Sequence, residues 1–352
     1  MGEGEWVTEG RAPGDRPAGR RVAYHVPAWL SPWVSFSDVV VSYLRGRADG
    51  DLTDFHNGRL GLPSEEITGT LEATVFERRS DAPARVVPSW ATAVVAGADT
   101  QVRDGRPYWV WTARAWGKGN RSRLVEWGRA STPDELVRAT LGASWEVEGQ
   151  RTRTGARILL VDSGGASELE HADGNSTLIV YEMARRDPGR IIPVKGASQR
   201  QDRLIRSSNV AYTAPGQAQC FAMLHTLDTE RLKDVMAALI RAEGPVIWEE
   251  CQLANEEYGA QMSSEEKTRV KIGRRLHVRW LRTGSARNDL WDASGYSLAG
   301  AMMLRADDRA QAREHPRPTT ARADQGPPAE RGAAARERRI RVKQGSGWVA
   351  RR

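Results

Sequence analysis

Three aspartates stand where an apolar run stops or a helix starts, and together they could do carboxylate chemistry. Trp90 to Gln101, WATAVVAGADTQ, is a short run rich in Val and Ala that closes on Gly97 and Asp99. That pattern predicts a buried strand carrying Asp99 to one edge of a sheet. Ala156 to Gly165, ARILLVDSGG, repeats the design and reaches Asp162 before turning. A third acid, Asp292, lies in Asn288 to Asp292, NDLWD, where a helical pattern begins. If the three converge they form a divalent-metal site. Hard carboxylate oxygens suit Mg²⁺ or Mn²⁺, and two such ions about 3.5 to 4 Å apart can activate a water and stabilise a leaving oxygen in phosphodiester hydrolysis. One carboxylate must then bridge both ions, and Asp99, on the first strand, is the natural bridge. Gathering three carboxylates without metal is costly, so their pKa values are expected to rise.

Each acid taken alone has an ordinary explanation, because an Asp at a strand end commonly serves a turn or a cap. Asp289 is expected to cap the last helix with Asn288, although its place three residues before Asp292 makes it a spare ligand. Glu126 reads as a solvated charge. Lys195, in VKGAS, could approach a phosphate or simply sit exposed at a strand end. Trp109, Trp111 and Trp116 read as core rather than as a base-stacking platform. Cys220, His225 and His277 match no catalytic dyad. Cys220 and Cys251, the two cysteines, are too few for a disulfide framework or a four-ligand zinc site and read as buried thiols. ILLVD resembles the acidic strand of a P-loop ATPase, but the sequence holds no G-x-x-x-x-G-K-[ST], so ATP hydrolysis is not expected of it.

The elements that must position the acids are legible in outline. Asp104-Gly105 is a hairpin signal leading into the strand Tyr108 to Trp116, and a second tight connection at Gly117 to Asn120 leads into Ser122 to Trp127. Thr132 to Glu135, TPDE, is a capping box that opens a helix running to Gly142. Helices are predicted at Asn175 to Arg185 and Thr229 to Arg241, with a strand at Ile191 to Lys195 between them. Trp291, Gly295, Leu298, Ala299 and Met302 give a closing helix over Asp289 to Leu304 that lays one face on the core. Upstream, Ser37 is a candidate N-cap for a short amphipathic helix to Arg45, Asp54 to Gly61 is turn-rich, and Glu72 to Val87 is ambiguous. Three strands, a helix, a strand, then helices and strands closed by a helix is the order of a ribonuclease-H-like fold. This is an α/β class, a mixed sheet flanked by helices, in which acids from the first strand, the fourth strand and the last helix meet at one edge.

Composition is ordinary for a soluble protein, with 39% hydrophobic and 28% charged residues. No run of about 18 apolar residues suggests a membrane span. The N-terminus lacks the apolar core of a secretory signal, which points to the cytosol. The net charge of +7 is local: Arg305 to Arg352 holds 13 Lys and Arg against 6 Asp and Glu, and residues 1–304 balance. The expected organisation is a linker region over residues 1–88, a nuclease-like domain over 89–304, and a disordered Arg/Ala/Pro-rich tail over 305–352.

Seven segments taken in order carry a resemblance to a known family: GEWV at Gly4 to Val7, YHVPAWLSPWVSF at Tyr24 to Phe36, DFHNGRLGLPSEE at Asp54 to Glu66, VVAGADTQ at Val94 to Gln101, ILLVDSGG at Ile158 to Gly165, IIPVKGAS at Ile191 to Ser198, and RNDLWDASGYSLAGA at Arg287 to Ala301. The chain resembles the endonuclease part of a tailed-phage terminase large subunit of the GpA type. The resemblance implies a two-metal nuclease that cuts concatemeric double-stranded DNA during capsid filling, in the host cell cytoplasm at the procapsid portal. It places the family's G-V-D-x-Q aspartate on Asp99, its D-S-G aspartate on Asp162 and the last acid of its N-E-x-x-D helix on Asp292. Ala98 stands for the family's Val, and Asp289 for its Glu, which keeps the charge and shortens the reach. Implied partners are DNA, a terminase ATPase domain or subunit, the small subunit and the portal protein, and no membrane. The ATPase domain that precedes this part in the family is not found before Gly4, which suggests a split or truncated subunit. The rival expectations are a non-catalytic assembly piece and a resolvase- or transposase-type nuclease on the same fold.

Overall fold

Ala93–Arg103 (β1) is buried on both faces over its first seven residues, which is why its sequence reads as a continuous apolar run. Alternate side chains point to opposite sides. Val94, Ala96 and Ala98 join one hydrophobic cluster and Val95 joins the other, with Gly97 and Asp99 following it on the same face. The computed structural model describes residues 26–48, 52–62, 69–77, 81–164, 176–213, 219–242, 247–272 and 275–307. The GEWV match and the tail beyond residue 307 lie outside the described residues.

The other strands of the main sheet are Arg106–Trp116 (β2), Ser122–Ala130 (β3), Ile158–Asp162 (β4), Ile191–Gly196 (β5), Ile205–Thr213 (β6), Gln219–Leu227 (β7) and Trp248–Glu249 (β8). Their spatial order is β6-β7-β5-β4-β1-β2-β3-β8. β1, β2 and β3 form an antiparallel meander, and β4 and β5 continue from β1 in parallel. This is the ribonuclease-H-like mixed sheet expected from the element order. The β1–β2 turn follows its chemistry, with Asp104 and Gly105 both at positive φ, 53° and 72°.

Helices cover both faces. Pro133–Thr140 (α2) and Ser176–Arg186 (α3) pack with Trp109, Trp111 and Trp145 on one side. Thr132 caps the helix by accepting from the Glu135 amide at 3.2 Å, and the Glu135 carboxylate reaches back to accept from the amide of Ser131, one residue before the cap, so the predicted capping box forms with its return bond shifted by one residue. On the other side lie Thr229–Arg241 (α4), Glu256–Met262 (α5) and the closing helix Asp289–Met303 (α6). The closing helix is buried along nearly its whole circumference rather than on one face. It lies between β1 and β2 on one side and α4 and α5 on the other, which explains its small residues.

The closest approach is at Gly97. A Cβ built there would fall 2.1 Å from the Ala293 carbonyl oxygen and 2.6 Å from the Ser297 amide nitrogen. The helix answers with Gly300, where a Cβ would meet Val95 Cγ1 at 2.6 Å and Leu160 Cδ1 at 2.7 Å. Ser297 pins the contact by donating to the Val95 carbonyl at 2.9 Å and accepting from Trp116 Nε1 at 3.0 Å.

Several elements carry no clear signal in the sequence. The β6–β7 hairpin extends the sheet beyond β5. A second hairpin, Glu265–Ile272 (β9) and Arg275–Arg282 (β10), pairs with Gly69–Thr70 in a separate three-stranded sheet. Val86–Val87, Trp145–Val147 and Arg153–Thr154 form a third. Phe76 is fully buried in the main core, and Ala82 bridges to Cys251, so residues before Pro88 share that core. The upstream helix spans Phe36–Ala48 (α1), and its entry is held by Ser35 and Asp38 rather than by Ser37. Its Phe36, Val40, Val41, Tyr43 and Leu44 are exposed and its Val39 is buried. Asp54 to Gly61 is helical through Leu60 rather than a plain turn. Cys251 is buried as expected and Cys220 only half so. Glu126 is not solvated: it accepts from Arg85 Nε at 2.7 Å and Trp145 Nε1 at 2.8 Å.

Gly97→Ala should lower unfolding stability by about 3 kcal/mol in thermal or urea denaturation, because the added methyl meets helix backbone that cannot move aside. Gly58→Ala, where nothing lies within 4 Å, is the control and should change little. Equal stabilities would show that the strand–helix contact tolerates a methyl group.

Candidate active site

The register of β1 and β4 puts Asp99 and Asp162 side by side. Ala98 pairs with Val161 in the parallel ladder, so the next residue on each strand is an aspartate. Both follow the positions whose side chains face the closing helix, Val95 and Gly97 on β1 and Ile158 and Leu160 on β4. Thr100 Oγ1 donates to the Asp162 carbonyl at 2.6 Å and fixes the strand ends to each other. The close approach at Gly97 then lays the start of the closing helix beside them, with Asp289 and Asp292 in its first turn. Asp99, Asp162 and Asp289 are 5%, 8% and 2% exposed.

These acids feel one another. Burial, then the charges of Asp292 and Asp162, push the Asp99 carboxyl well above the usual carboxylate range. Burial raises Asp162 to about 6, against its ordinary 3.8, with Asp292 adding to the rise and the Gly164 amide and Lys195 opposing it. Asp292 is also raised by burial, and Lys233 opposes that rise. The sequence expectation that three gathered acids resist ionisation has this physical form.

Each carboxylate is held in a particular way. Gln101 Nε2 donates to Asp99 Oδ2, and the Gly164 amide donates to Asp162 Oδ1 at 3.0 Å. Arg287 donates to Gln101 Oε1 and to Asp289 Oδ2, both at 2.6 Å, so one guanidinium ties the Asp99 support to the helix. Asp289 is thereby an ion-pair partner, and Asn288 makes no side-chain cap on the helix. Instead Asn288 Nδ2 donates to Asp292 Oδ2 at 2.8 Å and to Glu265 Oε1 at 2.7 Å. Lys233 Nζ meets Asp292 Oδ1 at 2.9 Å. Among the described residues, no group of three or more His, Cys, Asp or Glu side chains is arranged to hold a metal ion. The oxygen donors fit a hard divalent ion in type; Asp292 is engaged by Lys233 and Asn288.

A family model describing the endonuclease domain of terminase large subunit gpA matches residues 21–313. The chain belongs to that family. No curated protein and no solved structure matches it. The match spans the sheet and all the acids of the site, so the gpA endonuclease fold and this acidic edge belong to one unit.

In this gpA endonuclease domain Lys195 lies where the sequence put it, exposed at the end of β5 and near enough to oppose the rise of Asp162. Trp109, Trp111 and Trp116 are core. Sequence reasoning passed over four residues of the site: Gln101, Lys233, Glu265 and Arg287. Lys233 did leave a signal, because it stands at i, i+3, i+4 and i+7 with Met236, Ala237 and Ile240, all buried. A lysine on an apolar stripe needs a partner. Glu265 opens a strand of alternating charges, EEKTRVKI, and nothing local distinguishes it.

The raised acid sets a pH dependence of stability. Below about pH 4 Asp162 is protonated in both folded and unfolded chains; between its ordinary 3.8 and about 6 the folded chain keeps a proton that the unfolded chain has lost. Without divalent metal, stability should therefore fall as the pH rises through that window, and the raised Asp99 adds to the fall. Asp162→Asn should flatten this slope and be more stable than the parent at pH 7.5 in EDTA, by on the order of 1–3 kcal/mol. Urea denaturation at pH 4.5, 6 and 7.5 checks it; a less stable variant at pH 7.5 would refute the repulsion.

Proposed function

We propose that this chain is a metal-dependent endonuclease that cuts concatemeric double-stranded DNA during genome packaging. The convergence of Asp99, Asp162 and Asp292 at one edge of the sheet, in a chain of the gpA endonuclease family, carries the reading. Asp99 and Asp162 would hold Mg²⁺ or Mn²⁺ with Asp292, and Asp289 stays with Arg287 as a supporting charge. Bound ions would supply an activated water and charge stabilisation at the leaving oxygen.

The chain's own residues do the rest. Burial keeps bulk water from Asp99 and strengthens its pull on a cation. Gln101, held by Arg287, fixes which way Asp99 Oδ2 points. The Thr100 contact locks Asp162 to the same strand pair. Lys195, at the rim beside Asp162, can meet a phosphate oxygen of the backbone, a contact that positions DNA without reading sequence.

The setting is the host cytoplasm at the procapsid portal. Double-stranded DNA, a terminase ATPase domain or subunit, the small subunit and the portal protein are the partners. A docking piece without catalysis is the second reading, favoured by the engagement of Asp292 with Lys233 and Asn288.

Nicking of supercoiled plasmid by the purified chain separates the two. Cutting with Mn²⁺ or Mg²⁺ is expected, none with EDTA, and a loss of roughly 100-fold or more in Asp99→Ala. Folded protein that cuts under neither metal would overturn autonomous nuclease activity in favour of docking.

A further inference from the structure

Lys233 contacts three carboxylate oxygens: Glu265 Oε1 at 2.7 Å, Glu265 Oε2 at 2.8 Å and Asp292 Oδ1 at 2.9 Å. An ammonium has three donors, so its capacity is filled. Asn288 Nδ2 bridges the same two carboxylates, donating to Glu265 Oε1 at 2.7 Å and to Asp292 Oδ2 at 2.8 Å. Glu265 and Asp292 are therefore clasped twice, once by a cation and once by an amide. The lysine side chain is 14% exposed and stands on the same helix face as the buried Met236, Ala237 and Ile240, so the charge is built into the core rather than draped on the surface. A compact point charge shared by two carboxylates neutralises them as a bound cation would.

The rest of the cluster is unequal. Asp289 is paired with Arg287, and Asp292 and Glu265 with Lys233. Among the described residues, neither Asp99 nor Asp162 is in an ion pair, although both face the other acids. The site thus has one half tied to cations by ion pairs and one half in which Lys195 lies near Asp162 without pairing with it.

We propose that Lys233 is the resident counter-ion of this site, holding Asp292 and Glu265 in place without a divalent ion and competing with one for Asp292. The inference rests on the reading of the cluster as a metal site. Asp99 and Asp162, which no side-chain cation pairs with among the described residues, would hold a first ion, with Lys195 nearby at the rim. Asp292 would be free to hold an ion only when its contact with Lys233 is given up. Lys233 is a positioning residue: it acts through Asp292 and not on the substrate.

Direct titration of Mn²⁺ into the purified chain, followed by calorimetry and by the resonance signal of free Mn²⁺, tests this without using activity. Lys233→Met should bind Mn²⁺ tighter by roughly tenfold or more, since an attractive competitor is gone and the cluster gains net negative charge. Lys233→Arg, which keeps the charge, should stay near the parent. Lys233→Met leaves buried acids uncompensated and invites misfolding, so the same comparison is made between Glu265→Gln and the double variant Lys233→Met/Glu265→Gln, which removes one charge of each sign. Tighter Mn²⁺ binding in the double variant than in Glu265→Gln is expected. Mn²⁺ binding that ignores residue 233 in both backgrounds would overturn the role of Lys233 while leaving the metal site standing. Absence of Mn²⁺ binding in every variant would overturn both. Binding in the expected order by a chain that cuts no plasmid would sustain Lys233 as counter-ion and count against the nuclease reading alone.

Discussion

The approach of the closing helix to β1 at Gly97 is the contact on which the rest of the structure depends. Backbone lies against backbone there, with no room for a side chain on the strand. Two residues later the same face of the strand carries Asp99, and one helical turn before Ser297 the same helix carries Ala293 and, beside it, Asp292. A larger residue at position 97 would push the helix outward and take Asp292 away from the strand acids. Gly300 does the same work further along the helix, against Val95 and Leu160. The burial that stabilises the core and the geometry that gathers the acids are thus one packing arrangement.

That arrangement stores electrostatic cost at one edge. Asp99 and Asp162 are buried beside each other and both resist ionisation. The structure offsets part of the cost with Lys233 and Arg287, both placed on the helix side of the cluster. The strand side receives hydrogen bonds from Gln101 and Gly164 instead of an ion pair. In the proposed reading as a metal site, the acids left without an ion pair are the ones that would attract a cation.

The opposite end of the sheet shows the contrasting solution. Arg114, fully buried on β2, pairs with Glu250 at 2.9 Å, donates to the Glu249 carbonyl and to Ser122, and stacks over Trp248 at 3.9 Å. Every charge there has a partner, and the group holds β8 and α5 against the meander. Two buried charged groups on one sheet therefore differ in kind: one is closed by its partners, and the other is left short of positive charge.

The sequence by itself determined the strands, because a run such as AVVAGAD or ILLVD buries both faces whatever lies next to it, and it determined the turn at Asp104-Gly105 and the capping box at Thr132, which are local chemistry. It also carried Asp99, Asp162 and Asp292, since each stands at the end of a periodic pattern that needs no partner to be read, and the family resemblance followed from the same segments. Only the tertiary structure decided the edge hairpins, the burial of the closing helix on all sides, the engagement of Asp289 with Arg287, and the meeting of Lys233 with Glu265 and Asp292. Those depend on residues far apart in the chain, such as 233, 265 and 292. A charged residue in a short polar strand looks the same whether it faces water or another charge, so pairing becomes visible only when the fold brings the two together.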